Sequence, residues 1–438
     1  MLKKLVATSA AALMVAGAIG TAGAATREIN LYGASAQYLF WNDAADNFLT
    51  SKGCTIAKTP TQYDSKHGIA VGTNCSSYGD DTVVISYTSK ASYDGIMAAN
   101  SQVHPSEANT GCTAPNERQV ATYNVDQPEF NPNGTLALDC RDITLGASDV
   151  AAEAFIQISS GKLRGPNTGS TAMADRNFVT YPVDGSGLIT YNPVIVPFAP
   201  FLSKDVTMNT CDGGTNAGEM CASAVDCPGS TCTAKELDNI SREMLVQIFS
   251  GNAWYWSDFG AGFPAEPITV CLRHAGSGTH ATLDLAVMNS KWGASLISAE
   301  SAADPIAWFN DGSSDMMACI NGNYSTTYAI GYADADQLEG SSSYPNVYQP
   351  KYNGFTPTRA NIRNGLYDWW SAQWMYEAPG EPTAIHNVIT DLVDFASVPA
   401  NIPSTKAKFW AAQDEMTWMK SSDFKYPKYQ GAADPQTP

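Results

Sequence analysis

The chain has 438 residues, enough for two or three domains with hydrophobic cores. Hydrophobic residues make up 44% and charged residues 16%, a balance too apolar for a disordered chain. A formal net charge of −18 repels phosphate backbones and anionic headgroups, which argues against nucleic acid and membrane surfaces as partners. Any anion site in such a molecule must act through local donors. A buried contact at low dielectric can do so, because it outweighs distant, screened charges.

Met1-Leu2-Lys3-Lys4 is a short basic start, residues 5–20 form an apolar run of small residues, and Ala22-Gly23-Ala24 offers what a signal peptidase accepts. Residues 1–24 are therefore expected to be a signal peptide cleaved after about Ala24. A membrane anchor is the alternative, but the run is short for a spanning helix and contains Thr8 and Ser9. The first cysteine is Cys54, so none stands at the cleavage point to carry a lipid. The mature protein is expected free in the periplasm or outside the cell, and not as a lipoprotein.

Ten cysteines suit that compartment, and their even number favours disulfides. No Cys-x-x-Cys pair occurs, against a zinc ribbon, and no Cys-x-x-Cys-His, against attached haem; no metal or cofactor is expected. Proximity in the chain suggests Cys54–Cys75, Cys112–Cys140 and Cys271–Cys319, with two bridges in either arrangement among Cys211, Cys221, Cys227 and Cys232.

Along the chain a short β-branched run, a Gly/Ser-rich turn and a helix recur. Ile29-Asn30-Leu31-Tyr32 passes through Gly33-Ala34-Ser35-Ala36 to a helix over 38–49, and Thr82-Val83-Val84-Ile85 through residues 89–92 to a helix over 93–99. Ile268-Thr269-Val270-Cys271-Leu272 passes through residues 275–279 to a helix over 280–288. Such alternation predicts α/β architecture with mostly parallel pairing and a ligand at the carboxyl ends of strands. Residues 100–137 and 210–233 read as insertions, the first irregular, the second Cys-rich. The apolar run within 188–202 reads as a crossover between lobes or a buried strand. Leu237, Ile240, Met244 and Ile248 predict one helix face; Ile385, Ile389, Leu392 and Ala396 predict another.

The stretch Arg273-His274-Ala275-Gly276-Ser277-Gly278-Thr279 carries the strongest chemical signal. Two glycines around a serine let successive N–H groups turn inward, and a helix beginning near His280 would aim its free N–H groups at the same point. Ser277 and Thr279 add hydroxyl donors, and Arg273 can fork onto two oxygens of a tetrahedral anion. A purely structural helix cap is the competing reading of this turn. His274 and His280 flank it and are expected to be solvent-facing or satisfied by the backbone, outside the site.

This segment resembles the Arg-x-Asp-Gly-Ser-Gly-Thr loop of the periplasmic phosphate-binding proteins of ABC transporters, in the type II periplasmic solute-binding family. Three more segments match in order: Gly33-Ala34-Ser35-Ala36-Gln37-Tyr38, Ser86-Tyr87 followed by Ser92 and Gly95, and Leu145-Gly146-Ala147-Ser148-Asp149. Ile248-Phe249-Ser250-Gly251 before Trp256, and Ile330-Gly331-Tyr332, resemble scaffold signatures. The resemblance implies a ligand set of Ala36, Gln37, Tyr38, Ser92, Asp149, Arg273, Ser277, Gly278 and Thr279. Gln37 stands where the family has threonine, and Ala275 where it has the aspartate that pairs with the arginine. Asp149 is implied as the acceptor that favours a protonated anion, phosphate or arsenate, over sulfate.

The implied architecture is a two-lobed type II binding protein with the ligand in the interlobe cleft. Lobe 1 is expected over 26–195, lobe 2 over 196–365, a C-terminal return to lobe 1 over 366–430, and a tail over 431–438. The implied role is capture of an oxyanion by a monomer for an ABC permease in the inner membrane. A binding fold kept for sensing, adhesion or structure is the alternative. An extracytoplasmic hydrolase is a third reading, weakened because no Gly-x-Ser-x-Gly elbow occurs.

Overall fold

The computed structural model describes residues 24–57, 62–63, 66–103, 112–123, 136–155, 159–162, 177–180, 182–274, 276–289, 306–310 and 312–430. The leader expected over 1–24, apart from Ala24, lies outside the described residues, as do Ala275 and the 431–438 tail.

Two mixed sheets carry the fold. The first runs in the order Ile189–Tyr191, Trp374–Glu377, Leu145–Ser148, Thr26–Ala34, Asp81–Lys90, His67–Cys75, Thr55–Ile56. Its centre is parallel: Thr26–Ala34 pairs with Asp81–Lys90 on one side and with Leu145–Ser148 on the other. The flanking strands are antiparallel. Ile29, Leu31, Val83, Ile85 and Leu145 are buried on these strands, the apolar payload that a sheet covered by helices requires.

The second sheet runs Ile306–Asn310, Thr269–Arg273, Ala329–Asp334, Val194–Ser203, Val347–Tyr348. Thr269–Arg273 is again parallel to both neighbours. Both sheets therefore present the carboxyl ends of parallel strands, where turns can hold a ligand.

The chain leaves the first sheet after Tyr191 and enters the second at Val194, so the apolar run is a strand beginning at the crossover, buried along its whole length. Trp370–Ala372 still pairs with that strand, and only Trp374–Glu377 rejoins the first sheet. Ala411–Ala412 then pairs with Val194 and Ile195 once more. The C-terminal region thus touches both sheets.

Two expectations need correction. Leu237 and Ile240 lie before the helix Arg242–Phe249, which starts where Ser241 accepts a hydrogen bond from the Met244 N–H at 3.1 Å. The cap ends the apparent periodicity, because its backbone is extended. The 100–137 segment is not uniformly irregular either: Glu117–Ala121 pairs antiparallel with Leu138–Asp142. Arg118, buried on that hairpin, bonds Asp94 on the helix Ser92–Ala99 at 2.6 Å. The helix Thr383–Ser397 buries Val388, Ile389, Leu392, Val393 and Ala396, and starts at Thr383, two residues ahead of the first marked position.

The five bridges are Cys54–Cys75, Cys112–Cys140, Cys211–Cys227, Cys221–Cys232 and Cys271–Cys319. The middle pair staples the hairpin of Thr207–Cys211 with Cys232–Glu236. Cys271–Cys319 ties the strand Thr269–Arg273 to the helix Ser313–Ile320, both cysteines being fully buried. Replacing both by alanine is expected to cost about 2–5 kcal/mol, read as a lowered midpoint in denaturant. No helix among the described residues is long and apolar enough to cross a membrane.

Candidate functional site

Three turns at the carboxyl edge of the first sheet converge, and glycine makes that convergence possible. A Cβ on Gly95 would lie 2.5 Å from the Tyr32 carbonyl oxygen and 2.7 Å from that of Ala147. Only glycine lets the helix Ser92–Ala99 sit so close to two strands. Its start places Ser92 beside Asp149: Ser92 Oγ accepts from the Asp149 N–H at 3.2 Å and lies 3.4 Å from Asp149 Oδ2. Ala36 and Gln37 occupy a short 3-10 turn before the helix Tyr38–Ser51, and Tyr87 OH donates to the Ala34 carbonyl beneath it.

The second sheet contributes the loop after Thr269–Arg273. Its helix begins at Gly278, ahead of the expected His280, because Ser277 is the cap and accepts from the His280 N–H at 3.4 Å. Thr279 Oγ1 reaches across to Asp149 Oδ2 at 3.4 Å, and the Tyr93 N–H donates to the Gly276 carbonyl at 3.4 Å. Arg273 and Asp149 are each 1% exposed. Gly278 is pressed against the opposite wall, where a Cβ would meet Ser92 Oγ at 2.2 Å and Asp149 Cβ at 2.7 Å. Gly278→Ala is therefore expected to hold the walls apart and to weaken binding of the oxyanion expected from the sequence at least tenfold. Calorimetry would measure this beside a circular dichroism spectrum that stays native.

Arg273 is held from two sides. Its N–H donates to Tyr332 OH at 3.0 Å, and Nη1 donates to Ser313 Oγ at 2.8 Å. Tyr332 OH also contacts His280 Nδ1. Tyr332 OH thus bridges the Arg273 backbone N–H and the His280 ring. The other ring nitrogen, Nε2, lies 3.6 Å from Asp284 Oδ2. Burial lowers the His280 pKa and so disfavours a charge on the ring.

Asp149 is the titratable group of the pocket. Burial raises its pKa to about 6, against the pull of Arg273, Ser92, Thr279 and the neighbouring Gln373 amide. Asp149 Oδ1 and both polar atoms of the Gln373 amide are buried, and none makes a bond at hydrogen-bonding geometry. A buried carboxylate with an open oxygen beside an arginine is a group prepared to meet a proton donor.

Of the residues expected from sequence, Ser92, Asp149, Gly278 and Thr279 meet at one point, and Arg273 lies near enough to act on the Asp149 charge. Ser277 works as the helix cap. Gln37 is already engaged: its Nε2 donates to the Ser148 carbonyl at 3.2 Å and its Oε1 accepts from Trp41 Nε1 at 2.8 Å. Tyr38 OH donates to the His67 carbonyl at 3.0 Å. His274 and His280 are buried, not solvent-facing. Ser313, Tyr332 and Gln373 join the site without having been expected as ligand groups. Ser313 had a signal, since Gly312-Ser313 opens a helix after a strand just as the other turns do.

Residues 224–395 match the model of a PBP superfamily domain, a class of binding proteins. The chain is similar to a putative phosphate ABC transporter substrate-binding protein with bound phosphate from Clostridium perfringens (14% identity, covering 86% of this chain and 95% of the other, TM-score 0.45). It is also similar to an ABC-type phosphate transport receptor from Vibrio cholerae (13% identity, 83% and 93% covered, TM-score 0.37). A third similar structure is a possible phosphate binding protein from Planctomyces limnophilus (11% identity, 90% and 96% covered, TM-score 0.37). The domain match covers 224–395, which holds the Arg273 turn, while the Asp149 turn that meets it lies outside the matched residues.

Proposed function

We propose that the protein captures a tetrahedral oxyanion, phosphate above others, in the periplasm for an ABC importer. The observation that carries this reading is the meeting of Ser92 and Asp149 with Gly278 and Thr279, from two sheets, around one buried carboxylate. Arg273 supplies the positive charge, and hydroxyls and backbone N–H groups supply neutral donors. Asp149 requires a ligand that brings a proton, which phosphate and arsenate do and sulfate does not. Ala36, Gln37, Tyr38 and Ser277 complete the ligand set as structural neighbours. The lobes split near residue 195, hinge closure buries the anion, and the closed monomer docks on an inner-membrane permease. No bond of the ligand is made or broken.

Calorimetry with phosphate, arsenate, sulfate and molybdate on the purified protein tests this. Heat with phosphate and arsenate, and far less with sulfate at pH 8, is expected. No heat with any of the four overturns the reading.

A further inference from the structure

Gln373 stands where the chain returns from the second sheet to the first. Trp370–Ala372 before it pairs with Val194–Ser203, and Trp374–Glu377 after it pairs with Leu145–Ser148. Its backbone N–H donates to the Val194 carbonyl at 2.8 Å, which pins it to the point where the chain first left that sheet. Trp374 lies opposite Ser148, so one further step along the antiparallel ladder sets Gln373 beside Asp149.

Gln373 is 0% exposed, and neither its Oε1 nor its Nε2 finds a hydrogen-bond partner among the described residues. Asp149 Oδ1, also buried, finds none either. Buried amides in folded proteins are nearly always bonded, because an unpaired one costs stability that an apolar side chain of the same shape would keep. Packing alone therefore does not account for a glutamine here. Against the burial that raises the Asp149 pKa, this amide is one of the groups that pull it down. An amide nitrogen carries two N–H donors. Between a carboxylate and an entering oxyanion, one N–H can go to each.

We propose that Gln373 is a ligand-binding residue, its Nε2 donating to an oxygen of the anion and to the Asp149 carboxylate together. This rests on the oxyanion reading of the cradle. Gln373 comes from the crossing between the sheets and from neither wall, and it adds a donor without adding charge. The unpaired amide is stability given up to keep a site ready for its ligand.

Gln373→Met tests the idea, since it keeps the length of the side chain and removes both polar atoms. Two results are expected together. The ligand-free variant unfolds at the same or a higher denaturant midpoint than the wild type, because no unpaired amide stays buried. Its affinity for phosphate falls about tenfold or more by calorimetry, the worth of a hydrogen bond to a charged group. A variant that unfolds at a lower midpoint, or fails to fold, shows that the amide serves the fold and overturns the inference. A variant that binds phosphate as tightly as the wild type overturns it too, and leaves the cradle reading standing. A wild-type protein that binds no oxyanion overturns both.

Discussion

Arg273→Ala is expected to lower oxyanion affinity about 25-fold or more while the protein stays folded. Removing one partner from a buried, charge-assisted contact costs about 2–5 kcal/mol, and each 1.4 kcal/mol is a factor of about ten in affinity. Arg273 is the charge whose field acts on Asp149, and its side chain is held toward the site by Ser313. Without it, the donors left around an entering anion are hydroxyls and backbone N–H groups.

The fold is expected to tolerate the change for a specific reason. Arg273 lowers the pKa of Asp149, so its loss lets that pKa rise further above about 6. At neutral pH the carboxyl then takes up a proton and is not left as an unpaired buried charge. Near-native circular dichroism with no calorimetric response to phosphate is the expected pair of results. An unfolded variant, or one that binds phosphate within tenfold of the wild type, contradicts the role assigned to Arg273. Arg273→Lys is a useful companion. It restores the charge without the planar fork, and so is expected to recover only part of the affinity.

The turns that form the cradle were legible because each is local. Glycine and serine at the end of a β-branched run, followed at once by a helix, mark the places around Ser92, Asp149 and Gly278 within a few residues of sequence. The support behind them was not. Tyr332 reaches Arg273 across 59 positions, and Ser371 reaches the Asp149 carbonyl across 222. Nothing in the spacing of those residues announces the contact. The same limit explains Arg118, whose pairing with Asp94 lies within a stretch rich in turn-forming residues. Leu237 and Ile240 failed for the opposite reason: their spacing imitates a helix face, but Ser241 starts the helix after them. Gln37 was readable as a donor but not as one already committed to Ser148 and Trp41, since both bonds depend on how the first helix meets the sheet.

The pH dependence of selectivity is the sharper test of Asp149. Its folded pKa, about 6, lies above the ordinary carboxylate value of 3.8. The sign follows from linkage: the folded state holds the proton more tightly than the unfolded one, so this group's stabilising contribution is complete below about pH 4. It is lost as pH rises through about 6. The same proton decides which anion enters. Above pH 6 the site presents a carboxylate that only a protonated anion can satisfy, while below it a neutral carboxyl can donate to sulfate. Sulfate affinity is therefore expected to be weak at pH 8 and to rise up to tenfold per unit as pH falls through 6, with phosphate binding far less affected. Asp149→Asn should remove that dependence, because an amide neither repels a dianion nor titrates. The variant is expected to bind sulfate at pH 8 at least tenfold more tightly than the wild type. A sulfate affinity that is flat from pH 5 to 8 in the wild type, or unchanged in Asp149→Asn, would show that the carboxyl does not face the anion.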